Sequence, residues 1–221
     1  LNISFESHIE FIANDRNTLG FNPRAIIWEE GFLFTNRHDN SFWQVGYFHR
    51  CKHDIDNYNE RQERSMIYGG LLFKYITPLK KHEFNNWIYL SLRSELYTIL
   101  QDERSPQKHM EIKPNIEQLI GSLSLNLNSN YGISKDFGFY YNIYGSANFF
   151  SQYKSFFNRF KSLHEIQLSG GVSAGLTLQG DAHIRLGLNY EYIPDNLIDI
   201  IPTSSSLLSF GIMIVDPQAM L

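Results

Sequence analysis

Apolar and polar residues alternate along most of this chain, in stretches that end at polar turns or longer loops. The stretch from Trp87 to Leu100 is the clearest. Ile88, Leu90, Leu92 and Leu96 leave one face, while Trp87, Tyr89, Ser91, Arg93, Glu95 and Tyr97 leave the other. A period of two belongs to a β-strand, whose successive side chains leave opposite faces of the pleat. The pattern predicts ten strands, over 2–13, 24–35, 41–51, 64–77, 85–100, 115–127, 136–149, 164–178, 182–193 and 204–215. Connections after odd strands are long and those after even strands short. This is the up-and-down order of an antiparallel meander.

The two faces differ in kind. One carries Ile67, Leu71, Phe73 and Tyr75, then Leu119, Leu123, Leu125 and Leu127. It continues through Ile166, Leu168, Val172, Ala174 and Leu176, then Ile184, Leu186, Leu188 and Tyr190, with no charge among them. The other face carries charges in mid-strand. Strands this long, with a charged face, predict a ten-stranded antiparallel transmembrane β-barrel: a single domain with lipid outside and a polar lumen inside. Trp43, Tyr75, Phe137 and Phe139 fall near the short-turn rim, and Phe11, Phe149, Tyr190 and Tyr192 near the long-loop rim. Two such levels match interfacial girdles. The competing architecture is a soluble sandwich or barrel whose aromatics fill a core, which would put its apolar face inside and use shorter strands. One stretch breaks the pattern. Glu29 and Glu30 are adjacent, and the expected remedy is a bulge near Gly31 that re-aims the chain.

Composition agrees with this picture. Mean hydropathy is slightly negative, as expected when every second strand residue faces a polar lumen. The net charge of -4 gives no electrostatic case for nucleic acid. A single cysteine excludes an internal disulfide framework. The first residues already read as a strand, so a signal segment is expected to have been removed or to lie outside this numbering. The last residues lack the terminal aromatic of the familiar proteobacterial assembly signal, so the barrel reading assigns no bacterial group.

Candidate chemistry follows from the faces. The lumen positions are Glu6, His8, Glu10, Arg50, Lys74, Arg93, Glu95, His183, Arg185 and Glu191. A narrow interior requires such charges to pair or to hold water, which predicts a salt-bridged plug. The functional alternatives are a small-solute channel or an acid–base site around Glu6, His8 and Glu10.

The segment from Phe48 to Asp56 carries the densest chemistry. His49 and Cys51 share the outward stripe of Trp43, Val45 and Tyr47, where histidine can act as base and a thiol as nucleophile. This segment resembles the outer-membrane lipid A deacylases, whose barrels carry a His-x-Ser pair on the lipid face and a glutamate on the following strand. The resemblance spans Phe48 to Glu63 and implies a lipid-directed hydrolase with His49, Cys51 and Glu63 as catalytic residues. Cysteine stands where that family has serine, Lys52 where it has asparagine, and the segment lies early rather than late in the barrel. His49, His53 and Asp54, with Asp56 nearby, also form a candidate metal set. On one strand the two imidazoles would stand about 13 Å apart, so the loop would have to fold back.

Two loops read as contact surfaces for lipid or a protein partner. Tyr153, Phe156, Phe157 and Phe160 switch to helical spacing, with Lys154, Arg159 and Lys161 between them. This predicts a short basic amphipathic helix at the outer rim, or a cap over the barrel mouth. Leu197, Ile198, Ile200 and Ile201 place aliphatic residues in the last long loop, for a partner or for packing over the lumen. No phosphate-cradling glycine loop and no Ser-His-Asp signature is present. Gly170 and Gly171 lie inside a strand, where they are expected to relieve crowding. No cofactor is implied. The expected function is that of a bacterial outer-membrane barrel, non-enzymatic, whose long extracellular loops engage a protein partner or surface ligand.

Overall fold

The computed structural model describes residues 2–14, 22–54, 64–83, 86–104, 116–180, 183–193 and 205–215. They form ten strands: β1 (Asn2–Asn14), β2 (Asn22–His38), β3 (Ser41–Asp54), β4 (Arg64–Glu83) and β5 (Asn86–Arg104), then β6 (Leu119–Gly132), β7 (Phe137–Ser151), β8 (Leu163–Leu178), β9 (His183–Ile193) and β10 (Ser205–Val215). All belong to one antiparallel sheet, hydrogen-bonded in chain order from β1 to β10. One helical turn, α1 (Phe156–Arg159), interrupts the β7–β8 loop. Among the described residues no helix is long and apolar enough to cross a membrane, which says nothing of strands.

Turn chemistry sets the tight ends. Asp39 takes a positive φ of 53° in the two-residue turn between His38 and Ser41. Asp and Asn tolerate that left-handed conformation best among residues with a side chain, and such turns match the twist of the flanking strands. At the β6–β7 turn the Ile133 and Ser134 amides both donate to the Phe137 carbonyl.

The sheet is strongly curved. Neighbouring strands lie about 4.8 Å apart, so β2 and β5 would be about 14 Å apart in a flat sheet. Yet Arg93 of β5 reaches Glu29 of β2 at 2.8 Å. Arg185 of β9 stacks 5.3 Å from the Trp87 ring of β5, four strands away. Such reaches exist only across a concave face, so the charged face is inside the curve. The concave side also holds the buried cluster of Leu33, Phe48, Met66, Tyr68, Leu72, Tyr97, Leu119 and Phe150. Large aromatics fit there because glycines face them. A Cβ on Gly171 would meet the Tyr144 hydroxyl at 2.6 Å, so this glycine does relieve crowding. The convex side is aliphatic and aromatic and stays exposed, with Phe5, Phe32, Leu71, Leu125, Leu168, Leu188 and Phe210 all on it.

Two expectations fail on register. The β1–β2 and β2–β3 ladders run unbroken through Glu29, Glu30 and Gly31, so no bulge re-aims them. Glu29 points into the concave side and Glu30 out of the convex side. Leu119 was expected on the outward face, but it is fully buried. The register shifts between Leu119 and Gly121, which turns Leu119 inward opposite Phe150.

Candidate functional site

The concave side is organised around four charges from three strands. Glu29 and Arg50 are direct cross-strand partners on β2 and β3. Arg93 and Glu95 stand two apart on β5, so the strand period puts both on this face. Arg50 Nε donates to Glu29 Oε2 at 2.5 Å, and its Nη2 pairs with both Glu29 and Glu95. Arg93 Nε donates to Glu95 Oε1 at 2.6 Å, and its Nη2 donates to Glu29 Oε1 at 2.8 Å. Each arginine therefore bridges both carboxylates. Tyr97 Oη and Ser122 Oγ donate to the remaining oxygen of Glu95 at 2.5 and 3.0 Å. The Arg50 guanidinium lies 5.1 Å from both the Phe48 and the Tyr68 ring centres.

The Glu95 side chain is only 4% exposed. A carboxylate so buried is tolerable only because four donors satisfy it. Two cations and two anions cancel, which makes the cluster a neutral brace across the curve rather than a reactive centre. Arg50, Arg93 and Glu95 were legible as inward residues. Glu29, Tyr97 and Ser122 were not among the candidates. Alternation assigned Tyr97 to the charged face, but nothing in the sequence paired it with Glu95 two residues away.

Beside the brace lies a cavity of about 470 Å³, lined in part by Glu6, His8, Glu29, Lys74 and Arg93. Glu6 accepts a hydrogen bond from Gln44 Nε2 at 3.3 Å. The structure thus brings together Glu6 and His8 of the proposed acid–base site, while the Glu10 side chain lies outside the described residues. Glu191 meets the Tyr144 hydroxyl at the other end of the concave side.

Arg185 departs from the expected pairing of lumen charges. Among the described residues no carboxylate faces it. It lies 4.9 Å from the Tyr140 ring and 5.3 Å from the Trp87 ring, and its Nη1 donates weakly to Asn128 Oδ1 at 3.5 Å. The acids of this face stand on other strands or further along β9, and alternation carries no information on that distance. His183, also buried, begins the same strand.

The convex side carries a polar patch around His49. His49 and Cys51 do share this face, and Glu30 joins them: its carboxylate lies 3.8 Å from His49 Nδ1, both side chains about 40% exposed. Cys51 is buried between its cross-strand neighbours Trp28 and Ile67. Tyr47 Oη and Thr98 Oγ1 hydrogen-bond at 2.8 Å nearby. The shift at Gly69–Gly70 gives β5 an extra residue there. Glu63 and Asp56 lie outside the described residues, as do the side chains of His53 and Asp54. Among the described residues no group of three or more histidine, cysteine or acidic side chains could hold a metal ion.

No protein-family model matches the chain, and no curated protein and no solved structure matches it either. The site is therefore read from its own geometry.

The β7–β8 loop corrects a further expectation. The helix is a single turn, Phe156–Arg159, and leaves Tyr153 outside it. The loop's exposed surface is aromatic, with Lys154 and Lys161 also exposed and only Arg159 withdrawn. Phe157 is 80% exposed, with Tyr153, Phe156 and Phe160 beside it. Arg159 is buried and turned inward, donating to the Leu119 carbonyl at 3.2 Å beneath the Phe156 ring. Lys154 is held by Glu117 at 3.0 Å. Arg159 thus supplies a donor to backbone carbonyls at the start of β6, whereas Lys154 pairs with a carboxylate. Leu197, Ile198, Ile200 and Ile201 lie outside the described residues.

Proposed function

We propose that this chain is a bacterial outer-membrane β-barrel, closed between β1 and β10, that acts without catalysis by presenting its long loops to a partner. One observation carries the reading: polarity is inverted. The concave side holds Glu29, Arg50, Arg93 and Glu95 in a buried brace, while the convex side exposes Leu71, Leu125, Leu168 and Phe210. The aliphatic residues inside the curve, such as Leu33, Leu72 and Leu119, are fewer than those left exposed outside it, which a soluble sheet curved this far would bury. β1 and β10 both continue the convex apolar surface, through Ile3, Phe5 and Ile9 and through Leu208, Phe210 and Ile212. Joining the two strands would remove both open edges, which proteins otherwise have to protect.

The neutral brace crosses the concave side from β2 to β5, which argues against a steady solute path. The aromatic tip at Phe157 is the described part of the loop end best suited to contact, because Arg159 and Lys154 pin it from beneath. A photo-crosslinking residue at position 157, activated in the native membrane, should give one discrete protein adduct. Adducts with lipid alone would reject the partner reading.

A second reading has one specific observation in its favour. Glu30, His49 and Cys51 share the convex face, and Glu30 supplies the carboxylate that Glu63 was expected to provide. A base oriented by a carboxylate is the usual preparation of a nucleophile. For a lipid-directed hydrolase, His49→Ala and Cys51→Ala should each abolish a mass change that wild-type protein produces in membrane lipid. If wild-type protein leaves lipid A unaltered, this second reading fails.

A further inference from the structure

We propose that Arg185 forms an oxyanion-binding site on the concave side, near the short-turn end, for a ligand that presents two oxygens of a carboxylate or phosphate group. The argument begins with what the guanidinium lacks. Arg185 is 3% exposed, and its Nε and Nη2 have no hydrogen-bond partner. These two nitrogens form one edge of the guanidinium fork, with parallel N–H bonds, and that edge matches two oxygens of a carboxylate or phosphate. The third nitrogen, Nη1, is directed to Asn128. What is left without a partner is thus a whole bidentate edge rather than a stray atom, and because that edge is buried a ligand reaches it only as the neighbouring side chains shift.

The surroundings fix that edge and leave it without competition. Trp87 and Tyr140 flank the guanidinium at 5.3 and 4.9 Å, which orients its plane. Among the described residues, those that register and hydrogen bonds place around it are Asn128, Thr177, Asn130 and Asn142, with Asn126 and His183 two along their strands, and none is acidic. The brace on β2, β3 and β5 shows the contrast, since there each arginine meets two carboxylates. Asn126 and Asn142 each bury a carboxamide oxygen without a partner, and Asn142 pairs in register with Asn128. Oxygen and nitrogen of an amide are interchangeable by a half-turn. Rotated, these carboxamides would offer N–H groups instead, adding donors around the anion. A buried arginine with an empty edge costs the full desolvation of its charge, and an oxyanion recovers it.

The inference rests on the concave geometry and not on membrane location, so its test is independent of that reading. The chain has three tryptophans, and Trp28→Phe with Trp43→Phe leaves Trp87, the ring that flanks Arg185, as sole reporter. Sodium acetate and inorganic phosphate are titrated separately at constant ionic strength, made up with chloride. At least one should change Trp87 emission saturably. Arg185→Lys, which keeps the charge and loses the fork, should weaken that response at least tenfold, and Arg185→Gln should remove it. Saturation by acetate alone assigns a carboxylate ligand, and by phosphate alone a phosphate ligand. A linear response to both, or a response unchanged in Arg185→Gln, overturns the site. Should Arg185→Gln fail to fold, the parent titration and Arg185→Lys still decide.

Discussion

Replacing Glu95 with alanine is expected to destabilise the folded sheet by about 3–5 kcal/mol, the usual cost of breaking a buried ion pair from one side. Glu95 is the acceptor for Arg50, Arg93, Tyr97 and Ser122 together. Without it Arg50 and Arg93 share only Glu29, and one positive charge is left uncompensated on the buried concave side. Glu95→Gln should cost less, because the carboxamide oxygen still accepts hydrogen bonds while the charge is lost. Removing an arginine in the same molecule should partly rescue Glu95→Ala, since Arg93→Met lowers the uncompensated charge. Urea unfolding followed by the gel shift between folded and unfolded forms would measure all three. Equal stability of Glu95→Ala and wild type would show that the brace contributes nothing.

The second large effect lies on the opposite face. Leu125 sits in the middle of β6 and is 50% exposed on the convex side. If that side meets lipid, Leu125→Arg should destabilise the protein in vesicles by about 2–4 kcal/mol, the cost of a cation at the midplane of a barrel wall. If it meets water, the same change is an exposed surface substitution and should stay within about 0.5 kcal/mol. Few substitutions separate the two environments so cleanly, because the side chain has no ion pair or hydrogen bond to lose.

Strand number, strand order and the face of most residues were legible because each depends only on local alternation and loop length. Most strands differ from expectation by a few residues at their ends. The face assignments of Arg50, Arg93 and Glu95 followed from the same period. What alternation could not carry was any quantity that depends on register or curvature. Leu119 reads as outward until the shift before Gly121 reverses its parity. Glu30 reads as an error to be removed by a bulge until His49 is found across the ladder from it. The adjacent glutamates therefore serve opposite faces, Glu29 in the brace and Glu30 beside His49. Arg159 reads as a displayed cation because sequence spacing does not reveal the backbone carbonyls it meets at the start of β6. Arg185 reads as one more paired lumen charge, and only the curl of β9 toward β5 shows aromatic rings where a carboxylate was expected.

The measurement closest to the central claim is a spin-label scan of residues 122–127 in vesicles, one label per protein, in a Cys51→Ser background that removes the single native cysteine. The account predicts a strict alternation. Labels at 123, 125 and 127 should collide readily with oxygen dissolved in lipid and stay shielded from a water-soluble nickel reagent, while those at 122, 124 and 126 should not show that preference. Nickel access at 123, 125 and 127 would put the convex face in water and contradict the barrel.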